Sequence, residues 1–214
     1  MTPPEQLKQR VLATARKAPS PIRADLRGTT FAWVAFATLG LLLALVVAGG
    51  PHHAVERPGA AGLWMVLGVA ALALLVTWWA LPPPRSMLPP SDGRLLVVAL
   101  GVPVLVGAWL IAWHTTYDDP FTRPGFRCLA LTLAAAPGPF VALLAVGPRF
   151  APSRPWLAGA AVGAVSGAWS AIVVELWCPL THPTHVAVGH VLPLVALVLV
   201  GAALGGPLYR PRRV

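Results

Sequence analysis

The chain has 214 residues, of which 57% are hydrophobic and 11% charged, and its mean hydropathy is +0.71. A water-soluble domain of this size cannot hide that much apolar surface, so the composition excludes a soluble enzyme or binding module and points to the bilayer as solvent. The net charge of +9 invites a nucleic-acid reading, but the basic residues sit beside apolar runs in a pattern that fits membrane topology better.

Residues 1–28 form a basic tail. Thr2-Pro3-Pro4-Glu5 has the form of a capping box with proline in the first helical position. Leu7, Val11 and Ala15 then recur every four residues beside Leu12, with Lys8, Arg10, Arg16 and Lys17 among them. Pro19-Ser20-Pro21 ends the segment. A helix this short is marginal alone in water, so its apolar face calls for a partner.

A membrane helix needs roughly 20 apolar residues, and six stretches qualify: 29–49, 60–81, 95–114, 127–147, 156–177 and 186–208. The predicted fold class is therefore all-α, a polytopic bundle of six transmembrane helices over 29–208, with 209–214 a basic C-terminal end. The first stretch follows too long a leader, and is itself too long, for a cleaved signal peptide. The tail, the second and fourth connections and the C-terminus carry thirteen basic residues, from Lys8 to Arg213, while Arg57, Arg123 and Arg127 fall on the opposite side. Positive charge favours the cytoplasm, which places both termini inside. Short connections leave no room for a soluble domain. Pro103 and Pro193 should distort their helices. Gly159, Gly163, Gly167 and Ala171, with Gly201 and Gly205, make small-residue ridges suited to close helix packing.

This topology puts both cysteines and all six histidines on or near the outer face. Cys128 opens the fourth span and Cys178 closes the fifth, while His52, His53, His114, His182, His185 and His190 lie in outer connections or just beneath them. Glu175 is the only carboxylate carried into a predicted span, and His190, at comparable depth in the sixth, is its expected partner. Three readings of this cluster stand open. Cys128 and Cys178 form a structural disulfide, act as a redox-sensitive thiol pair, or join His182 and His185 as soft ligands for a metal ion. No CxxC, GxSxG, HExxH or phosphate-cradling glycine loop is present, so no enzyme activity and no obligatory cofactor are expected.

The second half of the chain resembles the NrsF-like integral-membrane anti-sigma factors of bacteria. The resemblance rests on Arg127-Cys128-Leu129, on the small-residue run from Leu157-Ala158-Gly159 to Gly167-Ala168, on Glu175-Leu176-Trp177-Cys178-Pro179, and on Gly189-His190-Val191-Leu192-Pro193. Trp177 departs from it, because the family there reads a His-Cys pair. The resemblance implies an inner-membrane protein whose tail holds a sigma factor, of the extracytoplasmic-function type, and whose cysteines are candidates for sensing an envelope, redox or metal signal. It implies no direct contact with nucleic acid. Two other classes compete: a small membrane redox protein working through Cys128 and Cys178, and a solute or metal permease with Glu175 and His190 on its path. Neither gives the capped, apolar-faced tail a role.

Overall fold

The computed structural model describes residues 5, 6, 8, 9, 13, 32–36, 38, 39, 59–81, 89–117, 124–146, 152–178 and 180–209. Most of the tail and of the first predicted span lie outside these residues. The described residues contain helices and no strand. They form α1 (Gly59–Ala80), α2 (Asp92–Tyr117), α3 (Phe126–Ala135), α4 (Pro137–Val146), α5 (Pro155–Trp177), α6 (Pro183–Val186), a π turn (Ala187–Val191) and α7 (Leu192–Leu208). Five segments are long and apolar enough to cross a membrane, taking α3 with α4 and α6 through α7 as single rods. Each coincides with one of the last five predicted stretches to within a few residues. Lipid leaves backbone groups no outside partner, so such runs must close their hydrogen bonds internally as helices.

α5 is the centre of the bundle: 83% of its apolar window is buried, against 28–44% for the other four. Its small residues are the reason. A Cβ added to Gly159 would overlap the Gly201 carbonyl, one on Gly163 the Leu197 carbonyl, and one on Gly205 the Pro155 carbonyl. The backbones of α5 and α7 therefore touch without side chains between them, the arrangement small-residue ridges permit. Outward-facing Leu, Val and Trp residues of α1, α2 and α7, such as Leu75, Val104 and Leu199, are exposed and suit acyl chains rather than water.

The buried tryptophan and hydroxyl groups in the middle of the bundle are bonded, as an apolar surround requires. The Trp169 indole N–H donates to Thr77 Oγ1 at 2.9 Å, and Thr77 donates in turn to the Ala73 carbonyl at 2.6 Å. The α3–α4 rod breaks at Ala136, where Pro137 and Pro139 remove two helical donors. The Ala136 carbonyl accepts Phe140 N–H at 2.9 Å and Ser166 Oγ of α5 at 2.8 Å. Proline also shapes the last rod. Pro193 has no N–H for the carbonyl of residue 189, and its ring crowds that carbonyl. The chain opens into a π turn just before it, with Leu192 N–H bonded five residues back to the Ala187 carbonyl. The helix distortion expected at Pro193 takes this form. Pro103 lies inside α2, which runs without interruption from Asp92 to Tyr117.

The two ends of the bundle differ. At one, Ser153 Oγ donates to Asp92 Oδ1 at 2.7 Å, Arg154 Nε pairs with Asp92 Oδ2 at 3.2 Å, and the Arg94 guanidinium caps α1 by donating to the Trp79 carbonyl. At the other lie the first turn of α3, the C-terminus of α5 and the α6–π segment.

Candidate functional site: a buried thiol–imidazole cluster

Three chain segments meet at this second end, and glycine lets them do so. Gly125, just before α3, has φ +76°, the left-handed region open to glycine at little cost. A Cβ there would lie 2.8 Å from both Gly189 N and the His185 carbonyl. A Cβ on Gly189 would lie 3.0 Å from Cys128 Cβ and from the Gly125 carbonyl. The Gly125–Gly189 contact thus seats the first turn of α3 directly against the π turn. That contact carries Cys128 to the histidines.

Cys178 arrives from α5. It is the extended residue ending that helix, with its N–H bonded to the Val174 carbonyl at 2.7 Å. Val174, Leu131 and Leu180 pack around the two sulfurs. Both sulfurs are buried, and no disulfide joins them in this structure. His185 Nε2 lies 3.1 Å from Cys178 Sγ and 3.5 Å from Cys128 Sγ. The contact with Cys128, and burial after it, raise the Cys178 pKa above its ordinary value, so that thiol holds its proton at neutral pH.

The π turn supplies the remaining member. Residues five apart on an α-helix point about 140° away from each other, at 100° per residue. A turn closed between i and i+5 brings such residues back toward one face. His185 and His190 accordingly lie with ring centroids 5.5 Å apart. Behind His190, Glu175 Oε1 stands 2.7 Å from Nδ1, with both side chains 1% exposed. The His190 ring is close enough to Cys178 to act on its thiol, yet Nε2 makes no hydrogen bond of ordinary geometry among the described residues.

One donor atom from each of Cys128, Cys178, His185 and His190 falls within 4.8 Å of every other, and all four residues are buried. Glu175 stands next to this set as the carboxylate oriented on His190. His182 does not join it. That side chain is turned to its own helix end, where Nδ1 accepts Thr184 N–H at 3.3 Å and caps α6. The soft-ligand set named from sequence therefore loses His182 and gains His190. Trp177 carries no imidazole, and His185 reaches the Cys178 sulfur from α6 instead. The side chains of His52, His53 and His114 lie outside the described residues. So do Leu7, Arg10, Val11, Leu12, Arg16 and Lys17 of the tail; Lys8 is described, helical and exposed.

Fold and site together define a polytopic helical membrane protein with a thiol–imidazole–carboxylate cluster at one end of its bundle. The chain belongs to the family described as NrsF, negative regulator of sigma F, which matches residues 12–210. Among curated proteins it is 32% identical over 134 residues to the "Probable anti-sigma-F factor NrsF" of Azospira oryzae (strain ATCC BAA-33 / DSM 13638 / PS), an alignment covering 59% of this chain and 62% of that protein. The chain thus spans somewhat under two thirds of that relative's length. No solved structure matches it.

Proposed function

We propose that this chain is an anti-sigma factor of the bacterial inner membrane. Its cytoplasmic tail sequesters a sigma factor of the extracytoplasmic-function type, and a signal received at the outer cluster releases it. The family match over residues 12–210 carries this reading, because it takes in both part of the tail and the whole helical region. The distribution of basic residues supports the orientation. The tail's pattern supplies a binding mode. Leu7, Val11 and Leu12 fill an apolar groove, and Lys8, Arg10, Arg16 and Lys17 meet acidic groups at its rim. Holding a partner requires affinity and no catalysis. Release requires that the signal favour one packing of the helices over another.

The test compares the intact protein with a form lacking the tail, each used in detergent extract to capture the sigma factor. Capture by the intact form alone is expected. Equal capture by both, or unchanged capture by Leu7→Asp/Val11→Asp, would remove the tail from the binding role. A Cys128→Ser/Cys178→Ser protein that still released its partner to every stimulus would take the thiols out of sensing.

A further inference from the structure

We infer that Cys128, Cys178, His185 and His190 bind a single thiophilic metal ion of the zinc class, with Glu175 as the positioning residue for His190. The binding stands on geometry alone; that the ion is the signal for release rests on the function proposed above.

Four-coordinate zinc takes sulfur at about 2.3 Å and imidazole nitrogen at about 2.0–2.1 Å, so the edges of its tetrahedron run from about 3.3 to 3.8 Å. The sulfur–nitrogen edge of that tetrahedron is about 3.6 Å; one observed Sγ–Nε2 separation, 3.5 Å, matches it and the other, 3.1 Å, is about half an ångström shorter. All four donors lie within 4.8 Å of one another, so small side-chain rotations would place an ion at the centre. Two thiols and two imidazoles make the S2N2 set that favours zinc over magnesium or calcium, which prefer oxygen. On binding, each thiol gives its proton to solvent and its sulfur to the ion. Each imidazole contributes a nitrogen lone pair.

The second-layer geometry points the same way. A metal-bound histidine usually donates its other ring N–H to a carboxylate, which fixes the ring and its tautomer. Glu175 Oε1 lies 2.7 Å from His190 Nδ1, a contact outside ordinary hydrogen-bond geometry that a small rotation of either side chain would turn into that bond, leaving Nε2 for the ion. The buried Nε2 has no hydrogen bond of ordinary geometry among the described residues, and an ion would use its lone pair. A disulfide between the two cysteines would not. It would occupy the sulfurs, remove their protons, and leave both imidazoles facing a bond that donates nothing.

The experiment uses the full chain purified in detergent under reducing conditions. Cobalt(II) should bind at one equivalent and give tetrahedral visible bands with sulfur-to-cobalt charge transfer, and zinc(II) should displace it. Cys178→Ser and His185→Ala should lose this spectrum while eluting as the intact protein does. His182→Ala, at the adjacent helix cap, should keep it. Glu175→Gln should retain the stoichiometry and weaken the affinity about 10–100-fold. A folded protein that binds less than one tenth of an equivalent overturns the site. So does a cobalt spectrum indifferent to His185→Ala, or a Cys128–Cys178 disulfide that persists in membranes isolated under reducing conditions. Sigma-factor capture, measured on the same samples, separates the two claims. Binding of cobalt with no capture sinks the anti-sigma reading alone, and capture without cobalt binding sinks the metal site alone.

Discussion

Gly159→Ala tests the α5–α7 contact with a single methyl group. The added Cβ would overlap the Gly201 carbonyl oxygen and lie 2.8 Å from Gly205 Cα and 2.9 Å from Gly201 C. Ordinary contact begins near 3.4 Å. The helices must therefore part by at least half an ångström along the contact, and further at the oxygen. No rotamer change can absorb this, because every atom met is backbone. Alanine has the better helix propensity by about 1 kcal/mol, but overpacking of a tight contact costs about 1–3 kcal/mol, and separation also forfeits dispersion along both ridges. The net expectation is a loss of stability of up to about 2 kcal/mol by those two magnitudes, with the forfeited dispersion adding to it. Gly101→Ala and Gly206→Ala are the controls, since nothing lies within 4 Å of a Cβ at either position. Thermal unfolding in detergent, followed by tryptophan fluorescence, reads all three. Gly159→Ala should melt below the parent while both controls match or exceed it. A Gly159→Ala protein as stable as Gly101→Ala would show that α5 and α7 do not approach backbone to backbone.

Thr77→Val should leave the Trp169 N–H without its acceptor inside the bundle, a loss of about 1–3 kcal/mol; Thr77→Ser should restore most of it in the same melting assay. Arg154→Ala removes an ion pair whose side chains are 61% and 34% exposed, so its effect should stay below about 1 kcal/mol, and a larger drop in melting temperature would argue against that exposure. Gly125→Ala forces φ +76° on a residue with a Cβ and drives that atom against Gly189 and His185. It should cost about 1–3 kcal/mol and speed alkylation of Cys128 by a membrane-permeant maleimide; unchanged labelling would count against the glycine contact. Pro193→Ala returns the missing N–H and favours ordinary α-helix, which would swing His190 away from His185. Faster labelling of Cys178 is the expected reading, and parent-like labelling would mean that the π turn does not depend on the proline.

The helical class and the five membrane-capable helices among the described residues were legible because they rest on hydrophobic runs, which lipid converts to helix with few alternatives. Glu175 and His190 were also within reach of sequence. A carboxylate in an apolar run needs a partner, and depth along two helices singles out His190. His185 and His190 are both placed near the outer face by sequence, but their meeting was harder to read: α-helical spacing turns residues five apart away from each other, and only a π turn, which no hydrophobic pattern announces, brings them together. The available signals were Pro193, which denies the carbonyl of residue 189 its donor, and the glycine immediately before His190. His182 is a candidate ligand by its residue type and its place after Cys178, but its ring is turned elsewhere. The chain uses it at a helix start, where an acceptor is needed for Thr184 N–H. Proximity in sequence and convergence in space are separated here by one capping bond.

α5 connects the two ends of the bundle in a way that limits how the cluster can act. It rises about 34 Å, from 23 residues at 1.5 Å each. Its last turn supplies Glu175 and leads to Cys178, and its first residue packs against Gly205. Gly159 and Gly163 bring α5 and α7 together backbone to backbone, with no layer of side chains between them to re-sort. Two other elements reach this pair at its ends: α3 through the Gly125–Gly189 backbone seat, and α2 through the side-chain contacts of Asp92 with Ser153 and Arg154. On the proposed orientation the Asp92 contacts face the cytoplasm. They stand at the end from which a tail-bound partner would feel the cluster change, so the carboxylate contact at Asp92 is the place to look for the far end of the relay.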